Sequence, residues 1–340
     1  MTTLDIHTIA FPTAALRDAV QAEVPADDRA GLDLIVWSPE GRRGPGNETG
    51  GGTSGGESVG GGESAGGSAP DPDDIDAVVM PYMGAGEAVS ALEGLAHLKL
   101  IQMQSTGYDP VADFEGRIRI ATGAGAHAAA TAELAVGLAL ARLRGIDVAA
   151  RNMPSGTWAH ERRWSLVDRT ALIVGVGGIG EEIRARLEPF GVTVLRAGSR
   201  ERDDEHGHVY ASDDLGEVLP RAELVFLITP LTDATHHLVD ADFLARLPDG
   251  AMIVNVSRGA VVDTDALLAE LESGRLQAAL DVVDPEPLPS DHPLWRAPNT
   301  LITPHEGGDT SAFEPRIIAI LAQQVRRIAA GEDLLNAVGS

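Results

Sequence analysis

The sequence predicts an α/β protein made of two doubly wound parallel-sheet domains. Three observations carry that reading. Short apolar runs alternate with amphipathic stretches along most of the chain, as expected for parallel strands covered on both faces. A G-x-G-x-x-G run at 175–180 falls between one such apolar run and a helical stretch. The length of 340 residues suits about two domains of ordinary size.

The elements follow in order. Strands are predicted at 5–11, 32–37, 77–81, 99–104, 117–121, 171–175, 193–197, 224–229, 252–256 and 278–282, where Val, Ile, Leu and Ala cluster between polar or turn-forming residues. Amphipathic helices are predicted at 85–96, 130–144, 180–189 and 263–273. A last helix, at 312–330, is expected to return to the first domain. The domain reading is therefore 1–126 with 307–340, and 127–306 between them. Between the runs LDLIVW and DAVVMP lies GRRGPGNETGGGTSGGESVGGGESAGGSAPDP, residues 41–72. It has almost no apolar side chains to bury, so it reads as a disordered insert within the first domain.

Composition removes several classes of function. Lys+Arg 26 against Asp+Glu 51 gives a formal charge of -25, which excludes a broad nucleic-acid or anionic-membrane surface. An anionic small substrate must then be held by local arginines. Lys99 is the single lysine and sits in the apolar run LKLIQM, so Schiff-base chemistry and a phosphate-binding P-loop lysine are poor fits. With no cysteine there are no disulfides, thiol nucleophiles or thiolate-bound zinc. No basic segment followed by an apolar core opens the chain, and the stretches AELAVGLALARL and IIAILAQQV are too short or too polar to cross a bilayer. The expectation is a cytoplasmic protein. No metal is assigned to Thr235-His236-His237, because neighbours on a strand point opposite ways.

ALIVGVGGIGEEI places the glycine fingerprint in its strand-turn-helix context. Gly175 would allow the tight turn, Gly177 the approach of a pyrophosphate, and Gly180 close packing of helix on strand, with Gly178 and Ile179 beside the phosphates. The next strand, VTVLRA, runs into Gly198-Ser199-Arg200, where a dinucleotide site commonly has an acid for the ribose hydroxyls. Glycine gives a 2′-phosphate room, Ser199 can donate to it and Arg200 can pair with it, which points to NADP. NAD is the alternative, and Asp203 or Asp204 would favour it if the loop carried either one to the ribose.

Three further segments carry chemistry: NVSRGAVVD with Arg258, LDVVDPEPLP with Asp281 and Glu286, and LITPHEGGD with His305. Ligands bind at the carboxyl ends of parallel strands in such sheets, and all three segments are read as lying at such ends. An arginine can fork onto a carboxylate while His305 exchanges a proton with the neighbouring oxygen, and Glu286 can orient and charge the imidazole. With a nicotinamide as hydride donor, that set suits reduction of a 2-oxo acid.

GVGGIG, TPLTDATHHL, NVSRGAVVDTDAL, ALDVVDPEPLP and ITPHEGG, in this order, resemble the D-isomer-specific 2-hydroxyacid dehydrogenases. The resemblance implies a flavodoxin-like substrate domain, a Rossmann nucleotide domain and a cleft between them. It implies that Arg258 binds the substrate carboxylate, that His305 is the acid/base, and that Glu286 keeps its imidazole protonated. It further implies that the backbone at Thr106 and Gly107 cradles the carboxylate, that Asp281 holds the nicotinamide carboxamide, and that Pro230 borders the adenosine. Gly198-Ser199-Arg200 and DPEPLPSDHPL are similar to the NADP-using glyoxylate and hydroxypyruvate reductases. A homodimer is the family's common assembly, with 130–144 and Trp158 as its expected surface. Two other readings share the motifs: an NAD-preferring D-2-hydroxyacid dehydrogenase, and a dinucleotide-sensing interaction protein resembling the C-terminal binding protein corepressors.

Overall fold

The computed structural model describes residues 4–37 and 71–339 and separates into two compact units, 1–123 with 315–340 and 124–314. The sequence reading put these boundaries at 126/127 and 306/307. The second crossing falls later because 307–314 belongs with the second unit: Gly308 and Phe313 both meet His127 there.

In the first unit five strands, β1 (Thr8–Phe11), β2 (Asp33–Val36), β3 (Ala77–Val79), β4 (Leu100–Gln102) and β5 (Arg119–Ala121), form one parallel sheet in the order β2-β1-β3-β4-β5. This is the flavodoxin-like order. Helices α1 (Ala14–Glu23), α2 (Ala85–Leu92) and nearly all of α8 (Phe313–Ala329) belong to this unit. Ile75, Val78, Met80, Leu92, Ile101 and Phe114 lie in its core. Lys99 ion-pairs with Asp76 at 2.7 Å, and Asp76 also accepts the His7 and Thr8 N–H groups, so the single lysine ties strand starts together. Most of the Gly/Ser-rich tract read at 41–72 lies outside the described residues. Its last two residues are ordered, since Asp71 accepts the Asp73 N–H at the start of a 3₁₀ turn, Pro72–Asp74.

The second unit holds β6 (Thr170–Val174), β7 (Thr193–Gly198), β8 (Arg202–Asp204), β9 (Gly207–Ala211), β10 (Leu224–Leu227), β11 (Met252–Asn255), β12 (Gln277–Leu280) and β13 (Thr300–Ile302), in the order β13-β12-β11-β10-β6-β7-β9-β8. All pairs are parallel except β8 with β9. The two-residue period of the strands supplies both faces. Leu172, Val174, Val225, Leu227 and Ile253 enter one core, while Ala171, Ile173, Leu224, Phe226, Met252 and Val254 enter the other. The second of these cores includes residues of α3 (Ala128–Arg144) and α5 (Gly178–Leu187); the first includes residues of α6 (Ala241–Ala245) and α7 (Thr264–Glu272). A short α4 (Ile146–Asn152) follows α3.

Three strands escape the sequence reading. β8 and β9 are short and polar, RDD and GHVYA, and β13 is only three residues at the sheet's edge. None has enough apolar alternation to register as a strand.

Candidate active site

The carboxyl ends of β6, β10, β11, β12 and β13 place the site residues of the second unit. Strand order turns back between β6 and β10, the switch point at which such sheets bind ligands. Gly175 follows β6 with φ +119°, and a Cβ there would stand 2.7 Å from the Ile228 carbonyl oxygen. A Cβ on Gly180 would lie 2.0 Å from the Gly175 carbonyl oxygen, so the helix can close on the strand only with glycine at that position. At Gly177 a Cβ would meet nothing within 4 Å, which leaves space beside the backbone. Extended Gly177 is the N-cap of α5 and offers no capping side chain, so the N–H groups of Gly178, Ile179 and Gly180 open the helix. The helix therefore begins two residues before the predicted 180–189. Thr229, beyond β10, has a buried hydroxyl without a protein partner, and its backbone N lies 3.2 Å from the same Gly175 Cβ position. Exposed Pro230 comes next. A turn built of glycine, an uncapped helix start and an orphaned hydroxyl fit a dinucleotide.

At the end of β7, Gly198 is buried while Ser199 and Arg200 are exposed. A Cβ on Gly198 would stand 3.0 Å from Val176 Cγ2 of the fingerprint turn, which puts the two strand ends side by side. The nearby acids are engaged elsewhere. Arg196 of β7 donates to both Asp204 oxygens, at 2.5 and 3.0 Å, and Asp203 contacts His208 Nδ1 at 2.9 Å. Hydrogen bonds from Arg196 and from the His206 N–H hold the Asp204 carboxyl down to about 2.

The chemical corner is assembled from three adjacent turns. Arg258 stands three residues beyond β11, and its Nη1 donates to the Ser257 carbonyl at 2.8 Å. Buried Asn255 shapes that turn: its Nδ2 donates to the Arg258 carbonyl, and its Oδ1 accepts both the N–H and the hydroxyl of Ser257. A Cβ on Gly259 would fall 1.8 Å from the Val283 carbonyl oxygen, so only glycine lets the Arg258 turn lie against the loop that carries Glu286. Glu286 accepts the Val283 N–H at 2.9 Å through Oε1 and contacts His305 Nδ1 at 2.8 Å through Oε2. A carboxylate can only accept, so Nδ1 carries the hydrogen and Nε2 is the nitrogen that can serve a substrate.

His305 itself sits at φ +53°, uncommon for a residue with a side chain. Its N–H donates to the Asp281 carbonyl at 2.8 Å. The Asp281 carboxylate, beyond the end of β12 and buried, grips the rest of the loop: Oδ1 accepts Thr303 Oγ1 and the Glu306 N–H, and Oδ2 accepts the Gly307 N–H. A Cβ on Gly307 would come within 2.9 Å of Asp281 Oδ2, and one on Gly308 within 2.5 Å of His127 Nδ1. The two glycines after His305-Glu306 are what this packing requires.

The electrostatics match the geometry. The Glu286 hydrogen bond and charge raise the His305 imidazole above its ordinary value, against opposition from burial and from the Arg258 charge. Burial alone would raise the Glu286 carboxyl, but hydrogen bonds from His305 and the Val283 N–H, with the charges of His305 and Arg258, hold it below the usual range. Both shifts favour the carboxylate–imidazolium form of the pair.

Thr106 and Gly107 belong to the other unit, in the loop after β4, where Ser105 Oγ donates to the Gly107 carbonyl at 2.7 Å. His236 and His237 depart from the sequence expectation. The histidines are not on a strand: His237 has φ +50°, and the rings stack at 4.0 Å rather than pointing apart. Asn255 and Arg196 went unrecognised. Asn255 was signalled by a polar residue ending the apolar run MIVN, whereas nothing local marks Arg196.

Residues 136–307 match the family model described as D-isomer specific 2-hydroxyacid dehydrogenase, NAD binding domain. Among curated relatives, the glyoxylate reductase/hydroxypyruvate reductase of Homo sapiens is 36% identical over 226 residues, covering 63% of this chain and 69% of that protein. The glyoxylate reductase of Thermofilum pendens is 32% identical over 275 residues, covering 76% and 77%. A solved D-isomer specific 2-hydroxyacid dehydrogenase from Xanthobacter autotrophicus Py2, in complex with NADPH and MES, superposes with a TM-score of 0.73 at 26% identity, covering 98% of each chain.

Proposed function

The chain belongs to the D-isomer-specific 2-hydroxyacid dehydrogenases, nicotinamide-dependent oxidoreductases, and on that premise we propose that it reduces 2-oxo acids to D-2-hydroxy acids with NADPH, favouring small substrates of the glyoxylate and hydroxypyruvate type. The observation that carries the reading is the 2.8 Å Glu286–His305 pair beside Arg258. NADPH, when bound, supplies the hydride that the carbonyl carbon receives. Arg258 holds the substrate carboxylate and draws charge toward the keto oxygen. His305 Nε2 gives that oxygen its proton, leaving a neutral imidazole, and Glu286 stabilises the imidazolium before transfer. In the oxidation direction the same nitrogen takes the proton back.

Gly175, Gly177, Gly178, Ile179 and Gly180 hold the pyrophosphate against the start of α5, Ser199 and Arg200 receive the 2′-phosphate, and Pro230 borders the adenosine. Asp281 fixes the His305 loop and keeps a lone pair on Oδ2 for the nicotinamide carboxamide. Thr106 and Gly107 enter as backbone ligands of the substrate carboxylate on motif resemblance. We also propose a homodimer through 130–144 and the exposed apolar residues that follow, Met153 at 78% and Trp158 at 95% exposure.

The test is a set of initial rates of NADPH and NADH oxidation, each with glyoxylate, hydroxypyruvate, pyruvate and phenylpyruvate. Turnover with NADPH preferred is the expected result. Equal or better rates with NADH would leave an NAD-preferring dehydrogenase; binding without turnover would favour a dinucleotide sensor.

A further inference from the structure

The end of β7 poses an electrostatic problem. If Ser199 and Arg200 receive a 2′-phosphate, they do so at the head of a segment, Glu201-Arg202-Asp203-Asp204-Glu205, in which four of five residues are acidic. A carboxylate there would repel the phosphate and could instead accept the ribose hydroxyls of the unphosphorylated coenzyme. Selection of NADPH requires that these acids be kept from the ribose.

Of these acids Asp204 is held most firmly. Arg196 lies in mid-strand on β7, paired with Ile173 of β6 on one side and Val209 of β9 on the other, and its side chain is only 6% exposed. From there the guanidinium reaches the tip of the β8–β9 hairpin. Nη1 and Nη2 donate to the two Asp204 oxygens at 3.0 and 2.5 Å, and Nη2 also donates to the Gly207 carbonyl at 2.8 Å. Asp204 Oδ1 takes a further bond from the His206 N–H, 2.8 Å. A forked pair of this kind fixes direction as well as distance. The other acids are held more loosely. Asp203 and Glu201 share the half-exposed His208 at 2.9 and 3.5 Å, and Glu205 lies 3.7 Å from His206. The hairpin also returns Arg202 toward β7: its Nη1 donates to the Arg200 carbonyl at 3.3 Å and lies 3.5 Å from the Gly198 Cβ position.

We propose that Arg196 is a positioning residue for coenzyme choice, which takes both oxygens of Asp204 and so leaves the end of β7 to Ser199 and Arg200. The inference rests on the NADPH reading above and adds the device that makes it compatible with so acidic a loop. Arg196 touches no coenzyme; it acts through Asp204.

Two nucleotides that differ only by the phosphate, 2′,5′-ADP and 5′-AMP, isolate the effect. Their affinities are measured by calorimetry for the wild-type chain, Arg196→Met, Arg196→Lys, Asp204→Asn and the double variant Arg196→Met/Asp204→Asn, beside kcat and KM for NADPH and NADH. The wild type should prefer 2′,5′-ADP. Arg196→Met should lower that preference about tenfold, because it frees a carboxylate of the acidic hairpin to approach and repel the phosphate. It should raise KM for NADPH with little change in kcat. Arg196→Lys should fall between, since it keeps the charge and loses the fork. The double variant should regain the wild-type ratio, and Asp204→Asn by itself should barely move it. A merely structural Arg196 would weaken both nucleotides alike, and an unchanged ratio would overturn the proposal while the NADPH reading stood. A several-fold gain in the ratio for Asp204→Asn would also overturn it, by showing that Asp204 already faces the ribose. If Arg196→Met does not fold, Arg196→Lys and Asp204→Asn decide by the same criteria. A wild type that binds both nucleotides equally would remove the NADPH reading and the proposal with it.

Discussion

Asp281 and Asp204 each hold a loop at the carboxyl edge of the same sheet, and they do so by opposite means. Asp281 is 3% exposed and binds neutral donors, two backbone N–H groups and a hydroxyl, whose positions are set by the chain itself. The Asp204 side chain is 31% exposed and, apart from the His206 N–H, depends on one guanidinium eight residues earlier. The Arg258–Glu286–His305 corner is thus fixed by backbone geometry, with Gly259, Gly307 and Gly308 as the points where no side chain fits. The β8–β9 hairpin is fixed chiefly by a charge pair. One substitution can undo the second arrangement without disturbing the first, so on the proposal above coenzyme choice should be easier to change than the chemistry.

The sharpest break in that comparison lies at His305. Replacing it with Ala should lower kcat for 2-oxo acid reduction by about 10²–10⁴-fold, the range that general acid–base catalysis supplies. The surrounding loop is held by backbone and by Asp281, so NADPH binding should survive. Coenzyme fluorescence titration and steady-state rates check both halves. Unchanged turnover would take His305 out of the acid/base role.

Glu286→Gln probes the same corner more gently. In the wild type the imidazole pKa is raised by the Glu286 hydrogen bond and charge, with burial opposing. Reduction uses the protonated form, so its rate is sustained at low pH and lost as pH rises through that raised value. Glutamine can still accept from Nδ1 but carries no charge. The imidazole then deprotonates earlier, and the falling limb of the reduction profile moves to lower pH. As pH rises above the ordinary imidazole value of about 6.5 the variant should become slower than the wild type, and well below it the two should converge. Oxidation, which needs the neutral imidazole, should shift in the opposite sense. The coupling also contributes stability that is present below the unfolded pKa of about 6.5 and lost as pH rises through the folded value. Coincident profiles would show that Glu286 does not set the charge of His305.

What could be read from the sequence follows the same division. The fingerprint, SRG and HEGG were legible because a turn that excludes side chains leaves glycines in a short, recognisable order, and because strand ends cluster ligands. The reasons for the glycines outside the fingerprint were not local. Gly259 answers to Val283 and Gly308 to His127, contacts made across strands and helices. Asp281 was read as a coenzyme ligand, and its three bonds to the His305 loop emerge only when β12 and β13 lie side by side. The Arg196–Asp204 pair was hidden most completely. It depends on a hairpin whose strands carry no apolar pattern, and an arginine within a strand has no sequence signature of its partner.

The smallest expected effect belongs to Asp203, the immediate neighbour of Asp204, and it sharpens the comparison by what should not happen. Asp203 lies opposite His208 in the β8–β9 register and pairs with it at 2.9 Å, yet its side chain is 84% exposed. An exposed ion pair gains little over water, with typical contributions of about 0–1 kcal/mol, and salt screens what remains. Asp203→Asn should therefore change stability by no more than about 0.5 kcal/mol, the ordinary range for surface substitutions. It should move the NADPH/NADH ratio of kcat/KM by less than about twofold, the change that such an energy permits. Thermal unfolding and paired kinetics check the two figures. Equal shifts from Asp203→Asn and Arg196→Met would mean that the summed charge of the hairpin governs coenzyme choice. A shift confined to Arg196 would mean that geometry does: of two adjacent aspartates, only the one within reach of a buried guanidinium has its direction fixed.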